Sequence, residues 1–187
     1  MKTARYRIVS HWRVEARLQE VIEIFRDSES LADWWPAAFL KARTLAPGAE
    51  DEMGKRVWLH VKGWLPHTLQ MAFEITESSY PESFTLTVCG DFEGGCHCRV
   101  AESRDSVELE FDWRVDVQKP LVRYTSWLLR PLFTWSHRWV MRRGQESLKL
   151  ELERRRCGGA GVTAPPPGPT FPFDPVSTRL RSWFAAK

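Results

Sequence analysis

No apolar run in the 187-residue chain approaches the roughly 20 residues that cross a bilayer, so no transmembrane helix is expected. No apolar core follows the opening Met1-Lys2-Thr3-Ala4-Arg5-Tyr6-Arg7, so a secretory leader is not expected either. Cysteine is scarce, at four residues, too few for a disulfide framework in a chain of this size. The expected location is therefore the cytoplasm, with the thiols reduced. Charge of one sign is also lacking. The 27 Lys+Arg nearly balance the 24 Asp+Glu, and a net +3 gives no electrostatic footprint for nucleic acid. No complete catalytic motif is present, and nothing in the sequence calls for a cofactor.

What the chain has in excess is tryptophan, ten in all. Rings at that density imply a bulky apolar interior, a large apolar pocket, or both. A chain of this length buries roughly 70% of its unfolded surface, so a core can form without staples.

Residues 1–156 read as one domain. After Arg154-Arg155-Arg156 the composition changes abruptly, and Gly158-Gly159-Ala160-Gly161 and Pro165-Pro166-Pro167-Gly168-Pro169 mark residues 157–176 as a flexible linker. Residues 177–187 then form a short basic amphipathic tail with Leu180, Trp183 and Phe184 beside Arg179, Arg181 and Lys187. The segment 157–187 supplies +2 of the net +3, so the main domain is almost neutral.

The main domain opens with an expected strand at about 6–14, where Tyr6, Ile8 and Trp12 share a face. Leu18, Val21, Ile22 and Phe25 have the spacing of one helical face. Ser30 and Asp33 signal a capping box for a second short helix. Pro36 ends it at Trp34-Trp35. Period-2 segments follow, separated by turn residues. These are 38–46, then Val57-Leu59-Val61, Leu69-Met71-Phe73-Ile75, Phe84-Leu86-Val88, Cys96-Cys98-Val100 and Val107 through Val117. A turn is expected over Gly90–Gly95. One apolar face per strand and short connections predict an antiparallel meander. From Leu121 to about Arg155 the period becomes 3.6. One stripe is Leu129, Phe133, His137, Val140, Gly144, Leu148 and Leu152, flanked by Leu128, Leu132, Trp135 and Trp139. Pro131 is expected to kink or divide this helix.

This order resembles the START-like helix-grip superfamily, also called SRPBCC, and within it the polyketide cyclase/dehydrase-like group. The resemblance rests on Trp12-Arg13-Val14 with Val21 and Phe25, on Trp34-Trp35-Pro36, and on Gly90-Asp91-Phe92. Phe111-Asp112-Trp113-Arg114-Val115 and His137 through Gly144 complete it, over about residues 4–156. It implies an α+β helix-grip fold: a seven-stranded curved antiparallel sheet, two short helices, and a long C-terminal helix over the concave face. It also implies a cavity for lipids, sterols or polyketides, in which some members catalyse cyclisation or hydration and others only bind.

The residues themselves support a slot between aromatic walls. The expected lining is Trp35, Met71, Phe73, Phe84, Phe111 and Trp113, with Phe133, Trp135, His137, Trp139 and Met141 from the long helix. The expected partner is a hydrophobic small molecule. His137 is the candidate acid or base in an alternative reading as a cyclase- or hydratase-type enzyme, with Tyr124 or an arginine polarising a carbonyl. A third reading is an interaction protein whose tryptophans simply fill the core.

Other features have plainer readings. Cys96 and Cys98 share a strand face while His97 points away, and Cys-x-Cys lacks zinc-knuckle spacing, so these and Cys89 read as free thiols and no metal site is expected. Arg138 and Arg142 read as solvated. Asp112, Arg114 and Asp116 read as an outer-face charge ladder. Asp91 reads as a turn residue. Trp64-Leu65-Pro66 is an apolar hairpin tip that a partner or the tail would cover. Three fates stay open for the tail: no fixed structure, docking on its own domain, or weak contact with an anionic membrane surface. Composition does not fix the oligomeric state.

Overall fold

A computed structural model describes residues 5–65, 68–91, 93–116 and 120–159, with the side chains of 5, 6, 116 and 120–130 left aside. The order is β1 (Arg5–Val14), α1 (Leu18–Arg26), a single 3-10 turn (Ser28–Ser30), α2 (Leu31–Trp34), β2 (Phe39–Ala46), β3 (Arg56–Lys62), β4 (Thr68–Ser79), β5 (Ser83–Gly90), β6 (Glu93–Ser103), β7 (Ser106–Asp116) and α3 (Pro120–Arg156). All seven strands lie in one antiparallel sheet of spatial order β1-β7-β6-β5-β4-β3-β2. Strands β2 to β7 form a meander, and β1 closes it by pairing with β7. This is the expected helix-grip arrangement, with the long helix last in the chain.

Register explains which side chains face inward. Trp113 pairs with Cys96, which pairs with Leu86, which pairs with Ile75, giving one row across four strands. The next row is Phe111, Cys98 and Phe84. All seven belong to the core or pack against it, apart from Ile75, which is buried beside it. The opposite face is charged. Asp112 accepts from Arg7 Nε at 2.9 Å and from Arg114 at 2.9 Å, while Glu110 pairs with Arg99. The Arg7 guanidinium holds the Asp112 carboxyl below the usual carboxylate range against the opposing effect of desolvation.

Aromatic rings fill the wedge between β1, the short helices and the sheet. Trp12 meets Trp35 edge-on at 5.1 Å and Phe111 at 4.9 Å. Phe25 meets Trp34 at 5.7 Å, and Trp35 meets Phe39 at 5.1 Å. Both Trp34 and Trp35 are buried, so the Trp-Trp-Pro segment is core rather than one core ring and one gate.

Helix α3 departs from the expectation in two ways. It runs through Pro131 undivided, because Pro131 is solvent-facing and only one backbone hydrogen bond is lost there. Its buried stripe is Ser136, Met141, Gly144, Ser147, Leu148, Glu151 and Leu152, while Leu132 and Trp135 are exposed. Half-buried His137 and Val140 continue this stripe; Leu132 and Trp135 lie off it. The buried Glu151 is satisfied by Arg154 at 2.6 Å and Arg155 at 2.7 Å. The helix end is tied to α1 by Arg156, which donates to both Glu20 oxygens, at 2.7 and 2.8 Å, and draws that carboxyl down to about 2.

Three smaller expectations also change. Ser30 makes no side-chain cap for α2; its hydroxyl donates to Asp27 O at 2.8 Å, and Asp27 instead accepts from the Ser30 N–H. The Gly90–Gly95 turn is shorter, because Glu93, Gly94 and Gly95 already pair with Asp116, Val115 and Arg114. A Cβ at Gly94 would sit 2.2 Å from Arg114 O, which explains a glycine inside that strand. The expected linker beyond Gly159 and the tail at 177–187 lie outside the described residues.

Candidate functional site

Between α1, α2, the sheet and the middle of α3 lies a cavity of about 180 Å³. That is several times the space one water occupies in the liquid, so the core is not filled by its own side chains. The sheet wall is made by β4, β5, β6 and β7, through Met71, Phe73 and Ile75, Phe84, Leu86 and Val88, Cys96, Cys98 and Val100, and Leu109, Phe111 and Trp113. Val21, Ile22 and Phe25 of α1 face it, with Leu31, Trp35 and Phe39 beside them and Met141 as the contribution of α3. The period-2 alternation of the strands puts every second side chain into this space.

Of the residues expected from sequence, Trp35, Met71, Phe73, Phe84, Phe111, Trp113 and Met141 line the cavity. Phe133, Trp135, His137 and Trp139 do not line it. Trp135 is exposed and packs edge-on against Trp64 at 4.7 Å, so two rings that sequence left unpartnered cover one another outside the cavity. Trp139 is half-buried and lies 5.8 Å beneath the Arg143 guanidinium. Phe133 is half-buried on the same outer turns of the helix. These positions miss the cavity because the buried face of α3 runs through small residues, Ser136, Gly144 and Ser147, which let the helix approach. The large rings are set to one side.

His137 stands one ring away from the cavity. It meets Trp113 edge-on with centroids 6.0 Å apart. Its Nε2 is shut off from solvent and has no hydrogen-bond partner, and burial pushes its pKa down to about 4. The ring is therefore neutral at pH 7. Arg138 and Arg142 are solvent-exposed. Tyr124 lies among the side chains left aside.

The polar side chains of the lining gather at the end formed by the last turn of α1, the β2–β3 loop and the β4–β5 hairpin. Sequence reasoning passed over Arg26, Glu52, Lys55 and Tyr80. Lys55 is buried, and its ammonium donates to Glu52 at 2.5 Å and to Arg26 O at 2.6 Å. Arg26 donates to the other Glu52 oxygen at 3.0 Å and lies 5.2 Å over the Tyr80 ring. Burial raises the Tyr80 phenol pKa, so it keeps its proton. No spacing rule flags such a cluster, because its members come from four separate segments.

Cys96 and Cys98 are buried free thiols on the cavity wall, whereas Cys89 and Cys157 are exposed. Burial raises both inner thiols, Cys98 to about 12. His97 faces the other way and shares a 2.9 Å hydrogen bond with Thr85. Asp91 closes its turn by accepting from Gln70 N at 2.9 Å.

No family model and no curated protein matches the sequence. Solved structures do. A START superfamily protein from Mycobacterium smegmatis aligns with a TM-score of 0.62 at 17% identity, over 80% of this chain and 98% of that one. The Zhui aromatase/cyclase from Streptomyces sp. R1128 aligns with a TM-score of 0.61 at 14% identity, over 84% and 99%. Norcoclaurine synthase from Thalictrum flavum aligns with a TM-score of 0.54 at 14% identity, over 81% and 96%. At these identities the likeness establishes a START-like, polyketide cyclase-like fold.

Proposed function

We propose that the protein binds a hydrophobic small molecule, of lipid, sterol or polyketide-like character, in the cavity between its sheet, its short helices and α3. The observation that carries this is the cavity itself: about 180 Å³ walled by apolar side chains on three sides, with its charged groups confined to one end. A ligand that buries roughly 300 Å² of apolar surface there gains on the order of 7 kcal/mol before association costs. The fold neighbours support the reading, since two of them are named as enzymes acting on small organic molecules. Retention without turnover is preferred for this chain. A neutral His137, outside the lining, is a poor general acid near pH 7. Among the described residues no candidate cluster of His, Cys, Asp and Glu is placed to hold a metal. No described helix is long and apolar enough to cross a membrane, so the ligand is held inside the protein rather than met by a membrane-spanning segment.

Native mass spectrometry of freshly purified protein tests this. The expected spectrum carries a second species heavier by one small-molecule mass, lost on denaturation. Protein that travels empty and also takes up nothing from a panel of lipids, sterols and aromatic polyketides contradicts the proposal.

A further inference from the structure

The cavity lining contains two polar atoms that are shielded from solvent and lack hydrogen-bond partners. One is Tyr80 Oη, at the β4–β5 hairpin end. The other is Trp113 Nε1, on β7. Buried donors left unmade are rare in folded proteins and each calls for an explanation. Trp35 carries a third unpartnered N–H, but that edge of its indole turns to α3, where a Cβ at Gly144 would sit 2.5 Å from its Cε2. The other two belong to the space that a ligand would occupy.

They also stand apart from one another. Trp113 shares its row of the sheet with Cys96 and Leu86. The next row, Phe111, Cys98 and Phe84, lies between it and the hairpin that carries Tyr80. The surface between the two polar atoms is apolar. Beside Trp113 the neutral His137 ring offers a further unpartnered nitrogen, so a group that both accepts and donates can be served there. At the far end the Tyr80 phenol is itself both donor and acceptor, and the Lys55–Glu52 pair beside it is already satisfied internally.

Resting on the cavity-binding reading, we infer that the ligand is a compact hydrophobic molecule with an oxygen function at each end, one hydrogen-bonded by Tyr80 Oη and the other by Trp113 Nε1. Hydroxyl and carbonyl groups on an aromatic or alicyclic body fit this description. A single-headed fatty chain leaves one of the two atoms unmade.

The test uses the full chain and three probes with one shared body: biphenyl, 4-hydroxybiphenyl and 4,4′-dihydroxybiphenyl. Each displaces the fluorophore N-phenyl-1-naphthylamine from wild-type protein, Tyr80→Phe, Trp113→Phe and the double variant. Each hydroxyl is expected to tighten binding to wild type about 5-fold, the yield of one ordinary hydrogen bond. Each single variant is expected to lose one of these gains, and the double variant to bind all three probes alike. Tyr80→Phe removes only a hydroxyl that bonds nothing, so it keeps the test intact even where Trp113→Phe does not fold. Biphenyl binding that hydroxyls do not improve, or improvement that survives both substitutions, overturns the inference and leaves the cavity reading standing. Failure of all three probes to displace the fluorophore, or of the fluorophore to bind, overturns both.

Discussion

Gly144 lies directly against the indole of Trp35: a Cβ at that position would come within 2.3 Å of Trp35 Cζ2 and 2.6 Å of Trp12 Cζ2. The missing side chain is what lets α3 press onto the two tryptophans that frame one side of the cavity. Alanine is the better helix former by about 1 kcal/mol, so propensity alone favours Gly144→Ala. Steric overlap with two buried rings wins instead. The expected net destabilisation is about 1–3 kcal/mol, read as a lower urea midpoint at unchanged m-value. A variant as stable as wild type would show that α3 sits farther from the core.

His137 sets a pH dependence whose sign is fixed by its burial. Its folded pKa, about 4, lies below the ordinary histidine value of 6.5. Between these two values the unfolded chain binds more protons than the folded one. Stability is therefore full above about pH 6.5, falls as pH drops toward 4, and loses nothing more from this group below that. The loss is on the order of 3 kcal/mol. Denaturant titrations of wild type and His137→Leu from pH 7 to 4 check this, with a flatter profile expected in the variant. Parallel profiles contradict it.

The Lys55 ammonium and the Glu52 carboxylate are nearly enclosed, with side-chain exposures of 7% and 14%. Breaking such a pair strands its partner, whereas replacing both removes the charges together. Lys55→Met is expected to cost about 3 kcal/mol, and the double substitution Lys55→Met with Glu52→Gln to cost less. Thermal melts of the three variants decide it, and a double variant worse than the single would contradict the pairing.

The cysteines divide by location. Cys89 and Cys157 are exposed, while Cys96 and Cys98 lie on the cavity wall with raised pKa values. Native protein is expected to give two fast-reacting thiols with a charged disulfide reagent and all four after denaturation. Four fast thiols would place the β6 wall in contact with bulk solvent.

The strands were legible because one physical rule governs them. A half-buried strand alternates, so Met71, Phe73, Phe84, Phe111 and Trp113 could be assigned to one wall before any coordinates. The same alternation also carried Leu86, Val88, Cys96 and Cys98 to that wall, a signal present but not used. The long helix was less legible because its buried stripe includes Ser136, Gly144, Ser147 and Glu151, residues that hydropathy assigns to water. Trp135 and Leu132 then draw the apparent apolar face away from the real one. The polar end was not legible at all. Lys55 and Glu52 sit beside a turn like any surface pair, and only the fold brings Arg26 and Tyr80 to them.

The account depends on an accessible apolar space behind the sheet, and plugging that space is the most direct way to test it. Leu86 lines the cavity from the middle of β5, so Leu86→Trp fills it from the wall. Fluorescence titration with N-phenyl-1-naphthylamine is expected to show saturable one-to-one uptake by wild type in the micromolar range. Little or none is expected for a Leu86→Trp variant that still melts cooperatively. Equal uptake by the two proteins, or none by wild type, would contradict it.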